Sequence, residues 1–348
     1  MTGVPPPPPA PSGRTDGSPR PLTVLVGIYS RFLSWNIPAA EVAFLRREFP
    51  AHTFVQAKSD PETLRLIKDA DVAFLGDLRP DQLAAAARLQ WVHSPAAGLG
   101  GMLFPAMLHS PVVLTNSRGI SAATIAEHVL AVTLAIFRKL PFAFRSQAAR
   151  EWSQDAMLAP PPIRTISSST VLVVGLGSIG AATAERMAAL GARVTGIRRD
   201  LSRPLPKGVD TVLPPEQLLQ ALPLAGIVVL AAPQTAQTRG LIDTAALAAM
   251  RHDALLVNVS RGELVDEGAL AAAVAAGTIG GAALDVFDTE PLPVESPLWA
   301  MPNVLITPHM SGFRPDHWAA VTALFAENLR RFEAGQSLLN PVDKAAGY

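Results

Sequence analysis

The sequence contains no cysteine. That excludes a disulfide framework, a thiolate nucleophile and a cysteine metal site, and it suits a reducing, cytoplasmic setting. Charge of one sign is also missing: Lys plus Arg and Asp plus Glu number 29 each, so no strong overall field draws the chain to nucleic acid or an anionic membrane. Long apolar runs are absent as well. The most apolar stretch, HVLAVTLAIF, is about half the length of a membrane span and has Glu127 and His128 at its start. The first 21 residues hold eight of the 32 prolines and no apolar run, which excludes a secretory signal and reads as a disordered tail. What is present is a chain of 348 residues, 49% hydrophobic and 17% charged, enough to bury the cores of two compact domains.

Between Leu22 and Thr115, apolar strand-like runs (LTVLVG, HTFVQA, ADVAFLG, LQWVHS, PVVLTN) alternate with helical ones, the pattern of a mostly parallel sheet wrapped by helices. A long helix is expected from Ser121, as its cap, to Pro141, bridging two domains. A second series follows: STVLVVGLG, ARVTGI, LAGIVVLAAP, DALLVNVS, IGGAALDVF and PNVLITPH. Six strands is the count of a full dinucleotide-binding sheet. The last helix, HWAAVTALFAENLRRFEAG, has nothing left to introduce in that sheet and is expected to return to the first domain.

The turn GLGSIG places Gly175, Gly177, Ser178, Ile179 and Gly180 between an all-apolar strand and a helix. In that context Gly175 permits a tight turn, Gly177 lets backbone approach a pyrophosphate, and Gly180 lets helix and strand pack closely. A dinucleotide is therefore the expected ligand. The acidic residue that would hold the ribose 2′-hydroxyl should close the next strand, yet Arg198 and Arg199 stand there. Guanidinium groups suit a 2′-phosphate and cannot accept from a hydroxyl, so NADP(H) is expected, with NAD(H) possible. The other reading makes these solvated loop arginines, with Asp200 or another residue serving the ribose.

In open α/β sheets, ligands bind beyond the carboxyl ends of the strands. Three such ends carry Arg261, just past Ser260; Asp285, with Glu290 in the loop beyond; and His309. They supply what reduction of a 2-oxo acid needs. Arg261 can bind the carboxylate and polarise the carbonyl, and His309 can donate the proton with Glu290 orienting its ring. Taken singly, Arg261 could instead pair with Glu263 or Asp266, and Glu290 could solvate a turn. His128 reads as structural, and no spacing suggests a metal site.

These motifs resemble the D-isomer-specific 2-hydroxyacid dehydrogenases. The segments GLGSIG, AAPQTAQTRGLID, NVSRGELVDEGAL, GAALDVFDTEPLP and PNVLITPHMSG, with the TIAEH helix, carry the resemblance from Val112 to about Gly312; the first domain matches loosely. The resemblance implies an α/β protein of two doubly wound parallel-sheet domains. A Rossmann cofactor domain (119–315) would be inserted in a smaller flavodoxin-like substrate domain (22–118 with 316–348), with a cleft between them and the tail at 1–21. It implies Arg261, Glu290 and His309 as catalytic residues, Asp285 near the nicotinamide amide, and Pro233 and Ser260 lining the cofactor cleft. The backbone amides of Ala97 and Gly98 would face the substrate carboxylate, and a homodimer would form through the region from AEH to REWS. Arg198 is similar to the NADPH-preferring glyoxylate and hydroxypyruvate reductases, Glu290 disfavours formate oxidation, and an end at Tyr348 makes the long phosphoglycerate dehydrogenases a poor match. Expected, then, is reduction of a small 2-oxo acid. The alternatives are an NAD-linked dehydrogenase of bulkier substrates and a cofactor-sensing regulatory protein.

Overall fold

The computed structural model describes residues 20–347; apart from Arg20 and Pro21, the expected tail lies outside the described residues. The chain divides into two compact units, Met1–Ile120 with Pro315–Tyr348, and Ser121–Arg314.

The first unit runs β1 (Thr23–Gly27), α1 (Ala39–Glu48), β2 (Thr53–Gln56), α2 (Asp60–Leu66), β3 (Val72–Leu75), α3 (Pro80–Ala85), β4 (Trp91–Ser94), α4 (Pro105–His109) and β5 (Val113–Asn116). The second runs α5 (Ala122–Phe137), α6 (Leu140–Ala149), α7 (Gln154–Leu158), β6 (Thr170–Val174), α8 (Ser178–Ala189), β7 (Arg193–Ile197), β8 (Thr211–Leu213), α9 (Leu218–Ala221), β9 (Ile227–Leu230), α10 (Thr244–Ala249), β10 (Leu255–Asn258), α11 (Glu267–Ala275), β11 (Gly281–Leu284) and β12 (Val304–Ile306). Helix α12 (His317–Glu333) then rejoins the first unit.

Both sheets are wholly parallel, ordered β2-β1-β3-β4-β5 and β12-β11-β10-β9-β6-β7-β8. The first is the flavodoxin-like order, and the second is the Rossmann order with one strand added beyond β11. The central strands read as unbroken apolar runs because parallel sheets are covered on both faces, and alternate residues serve opposite cores. Leu172, Val174, Val228, Leu230 and Leu256 join α10 and α11 in one core. Val171, Val173, Ile227, Val229 and Val257 join α5 and α8 in the other.

Aromatic packing keeps helix α12 with the first unit. Its Phe325 stacks on Phe74, with centroids 4.5 Å apart, and on Trp91 at 5.2 Å. Val321, Leu329 and Phe332 are buried in the same core, and each such side chain contributes roughly 1.5–3 kcal/mol on leaving water.

Two local expectations change. The second sheet has seven strands, because the three-residue edge strand β8 lies in a segment flanked by Gly208 and Pro214. The long helix also ends sooner. The chain leaves α5 at Arg138, Lys139 takes φ 54°, and Pro141 sits in the first turn of α6. Proline there lacks only an N–H that would have no helical partner, so it starts a helix instead of stopping one. Ser121 makes no capping hydrogen bond through its side chain.

Candidate active site

The strand order of the second unit reverses between β6 and β9, so the carboxyl ends of these two strands flank the switch point at which such sheets bind ligands. Gly175 leaves β6 with φ +96°, and a Cβ there would lie 2.6 Å from the Ala232 nitrogen. At Gly180 a Cβ would fall 1.9 Å from the Gly175 carbonyl oxygen. Both glycines are therefore required by protein packing. Gly177, which precedes α8, has nothing within 4 Å of the same position, and it is exposed together with Ser178, while Ile179 is half-buried. An open glycine at the N-terminus of a twelve-residue helix fits a pyrophosphate that must come close to backbone. The residues present thus suit a dinucleotide.

Arg198 follows β7 and is half-buried; Arg199 and Asp200 are exposed. The Arg198 guanidinium donates to the carbonyl oxygens of Pro204, at 3.1 Å, and of Arg203. It therefore ties down the loop that follows. Asp200 accepts from the Ser202 N–H and hydroxyl, and these bonds, with Arg203 and Arg198 nearby, hold its carboxyl below the ordinary range. Exposed Pro233 follows β9, and its carbonyl accepts from the Thr238 hydroxyl at 2.7 Å.

Beyond β10, Asn258 is buried and organises the turn that carries Ser260 and Arg261. Its Oδ1 accepts from the Ser260 N–H (3.1 Å) and hydroxyl (3.2 Å), and its Nδ2 donates to the Arg261 carbonyl at 2.8 Å. Sequence reasoning passed over this residue, although an Asn two positions before a Ser at a strand end is a recognisable turn signal. Burial lowers the Arg261 pKa, while the charges of Glu290 and Glu263 act against that. Glu263 accepts from Gln234, and Asp266 caps α11 through the Ala269 N–H.

His309 and Glu290 meet. The imidazole Nδ1 lies 2.7 Å from Glu290 Oε2, while Glu290 Oε1 accepts from the Phe287 N–H at 3.0 Å. Burial alone would push the Glu290 carboxyl up. The His309 and Phe287 hydrogen bonds, with the charges of His309 and Arg261, outweigh it and hold the group below its usual value. An ionised carboxylate thus faces the ring.

Asp285, buried just past β11, spends its carboxylate on the His309 loop: Oδ1 accepts from Met310 N and Oδ2 from Ser311 N, both at 2.9 Å, and Oδ1 also accepts from Thr307 Oγ1 at 2.5 Å. In the first unit, Ala97 is exposed and Gly98 half-buried on the loop after β4. Asn116 Nδ2 holds that loop by donating to the Ala97 carbonyl at 2.7 Å.

Residues 130–311 match the profile of the D-isomer specific 2-hydroxyacid dehydrogenase, NAD binding domain. A D-3-phosphoglycerate dehydrogenase of Mycobacterium bovis is 34% identical over 76% of this chain, a match spanning 49% of that protein, so the chain covers about half the length of such relatives. A D-isomer specific 2-hydroxyacid dehydrogenase of Xanthobacter autotrophicus, solved with NADPH and MES, superposes with a TM-score of 0.77 at 32% identity, over 94% of this chain and 100% of that one. An NADPH-dependent glyoxylate/hydroxypyruvate reductase of Sinorhizobium meliloti, solved with NADP and sulfate, gives 0.79 at 26% identity over the same shares.

Proposed function

Because the chain belongs to the D-isomer specific 2-hydroxyacid dehydrogenases, a family of NAD(P)-dependent oxidoreductases, we propose that it reduces the ketone of a small 2-oxo acid, of the glyoxylate or hydroxypyruvate kind, to the D-2-hydroxy acid. NADPH is the preferred reductant in this reading. The observation that carries it is the 2.7 Å pair of His309 and Glu290 in the unit that also holds Arg261 and the open Gly177 turn. When bound, the reduced nicotinamide supplies the hydride. Glu290 takes His309 Nδ1, so Nε2 is the nitrogen that gives its proton to the carbonyl oxygen. Arg261 binds the substrate carboxylate and polarises the ketone, its turn braced by Asn258. The role proposed for Ala97 and Gly98 is capture of that carboxylate by backbone amides. Among the described residues no group of three or more His, Asp or Glu side chains is placed to hold a metal ion.

NADPH preference rests on Arg199 beside Arg198 at the end of β7 and on the NADP-bound neighbours. The NAD-linked reading draws support from the engagement of Arg198 by the Arg203 and Pro204 carbonyls. Initial rates with both cofactors over a panel of 2-oxo acids separate the two. Replacing both arginines by Ala should raise KM for NADPH at least tenfold more than KM for NADH. Equal effects would return the arginines to the loop, and no turnover on any 2-oxo acid would defeat the enzymatic reading. A cytosolic homodimer completes the proposal, supported by the absence of cysteine and by the exposed apolar side chains of Leu140, Phe144 and Leu158 on α6 and α7, with Trp152 between them.

A further inference from the structure

His128 lies 179 positions before Thr307 in the chain, yet its Nε2 is 3.2 Å from the Thr307 hydroxyl oxygen. That hydroxyl has one proton, and the Asp285 carboxylate, which only accepts, takes it at 2.5 Å. His128 Nε2 must therefore be the donor, so the neutral ring carries its proton there. The order is fixed from end to end: His128 donates to Thr307, Thr307 donates to Asp285, and Asp285 receives the N–H groups of Met310 and Ser311.

What this chain of bonds holds is strained. His309 has φ +50°, a left-handed conformation that is costly for a residue with a side chain and persists only where its surroundings enforce it. The His309 N–H donates to the Asp285 carbonyl at 2.8 Å, and the next two N–H groups go to the Asp285 carboxylate. Asp285 thus grips three successive backbone amides through one residue. Its own orientation depends on Thr307, whose orientation depends on His128.

We infer that His128 is a positioning residue for the proton donor, acting through Thr307 and Asp285 to keep His309 in the backbone conformation from which its ring meets Glu290. This rests on the proposed reductase reading. It gives the helix histidine a role that its place in an apolar stretch does not suggest.

Two measurements on the full-length protein test it. Long-range 1H–15N spectra with labelled histidine should show the His128 ring protonated on Nε2 near neutral pH; protonation on Nδ1 would overturn the assignment, whatever the enzyme's activity. Kinetically, Thr307→Val, which keeps the shape and removes the hydroxyl with both of its hydrogen bonds, should lower kcat about tenfold, because Asp285 loses the bond that orients it, with KM for the cofactor unchanged. Thr307→Ser should restore kcat to within about twofold of wild type. Adding His128→Leu to Thr307→Val should cost nothing more, since the two act in series. Wild-type kcat in a folded Thr307→Val protein, or additive losses, would overturn the inference. Should the wild-type chain reduce no 2-oxo acid, the reductase reading fails by itself and the tautomer still decides the place of His128.

Discussion

Substitution of the three glycines of the β6–α8 turn separates packing from ligand approach. At Gly177 an added methyl meets no heavy atom within 4 Å, and φ −76° suits Ala. Gly177→Ala should therefore leave the fold intact or gain about 0.4–1 kcal/mol from a less flexible unfolded chain, a rise in Tm of a few degrees at most at about 2–4 °C per kcal/mol. If a pyrophosphate rests against this backbone, the same methyl occupies its place. Affinity for NADPH should then fall at least about tenfold, equivalent to about 1.4 kcal/mol. Gly180→Ala should do the reverse. Its Cβ falls 1.9 Å from the Gly175 oxygen, more than 1 Å inside the 3.0 Å that real Cβ contacts respect, so α8 must lift from β6 at about 1–3 kcal/mol or more. Gly175→Ala adds a left-handed φ of +96° to backbone contacts of 2.6 to 2.8 Å and should be no better tolerated. Thermal melts paired with titration of NADPH fluorescence read both quantities. A folded Gly177→Ala protein that binds NADPH as wild type does would refute the cofactor placement, and equal destabilisation at Gly177 and Gly180 would refute the packing account.

Two further outcomes follow from groups deep in each unit. His93 is fully buried in a directional network: Trp91 donates to Thr115, whose proton leaves His93 Nδ1 as an acceptor, while Nε2 donates to Ser117. Burial pushes its pKa down to about 3. A folded pKa below the unfolded value gives stability that is complete above about pH 6.5 and lost as pH falls toward 3, amounting to about 2 kcal/mol between pH 7 and pH 5. Urea denaturation at the two pH values should show that loss in the wild type and a much smaller one in His93→Gln; an unchanged slope in the variant would exclude His93 as its source. In the second unit, Asn258→Ala removes three hydrogen bonds from the Arg261 turn. It should raise KM for the 2-oxo acid by tenfold or more, at about 1 kcal/mol per bond, while KM for NADPH moves little; an unchanged KM for the acid would show that the turn keeps its shape without Asn258.

Much of this was readable because the signals are local. VLVV, IVVL and LLVN announce strands buried on both faces, and the glycine spacing of the turn needs only the strand before it and the helix after. Arg261, Glu290 and His309 could be singled out because the strand-end rule brings them together without knowledge of any contact. The misses are the features that local pattern cannot carry. Strand β8 has three residues and one neighbour, β7, too short for an alternation to show. The break between α5 and α6 turns on the single left-handed residue Lys139, which leaves no compositional trace. The carbonyls that engage the Arg198 guanidinium lie five and six residues further along, contacts that its charge alone does not announce.

Asn258 and Asp285 show where legibility stops. They stand at the carboxyl ends of the neighbouring strands β10 and β11, both about 1% exposed. Each turns its side chain back onto backbone so that another residue can project: Asn258 holds Arg261, and Asp285 holds His309. A polar side chain buried at a strand end must find partners, since leaving it unpaired costs several times what a single hydrogen bond contributes. The nearest partners are the amides and carbonyls of the loop that follows. For Asn258 that loop is three residues away and the relation can be read as a turn. For Asp285 it arrives 25 residues later at Met310, after the chain has made the Glu290 loop and β12, so only the folded sheet brings it within reach. The residues proposed to do the chemistry are recognisable by type, whereas the residues that aim them are recognisable only by geometry.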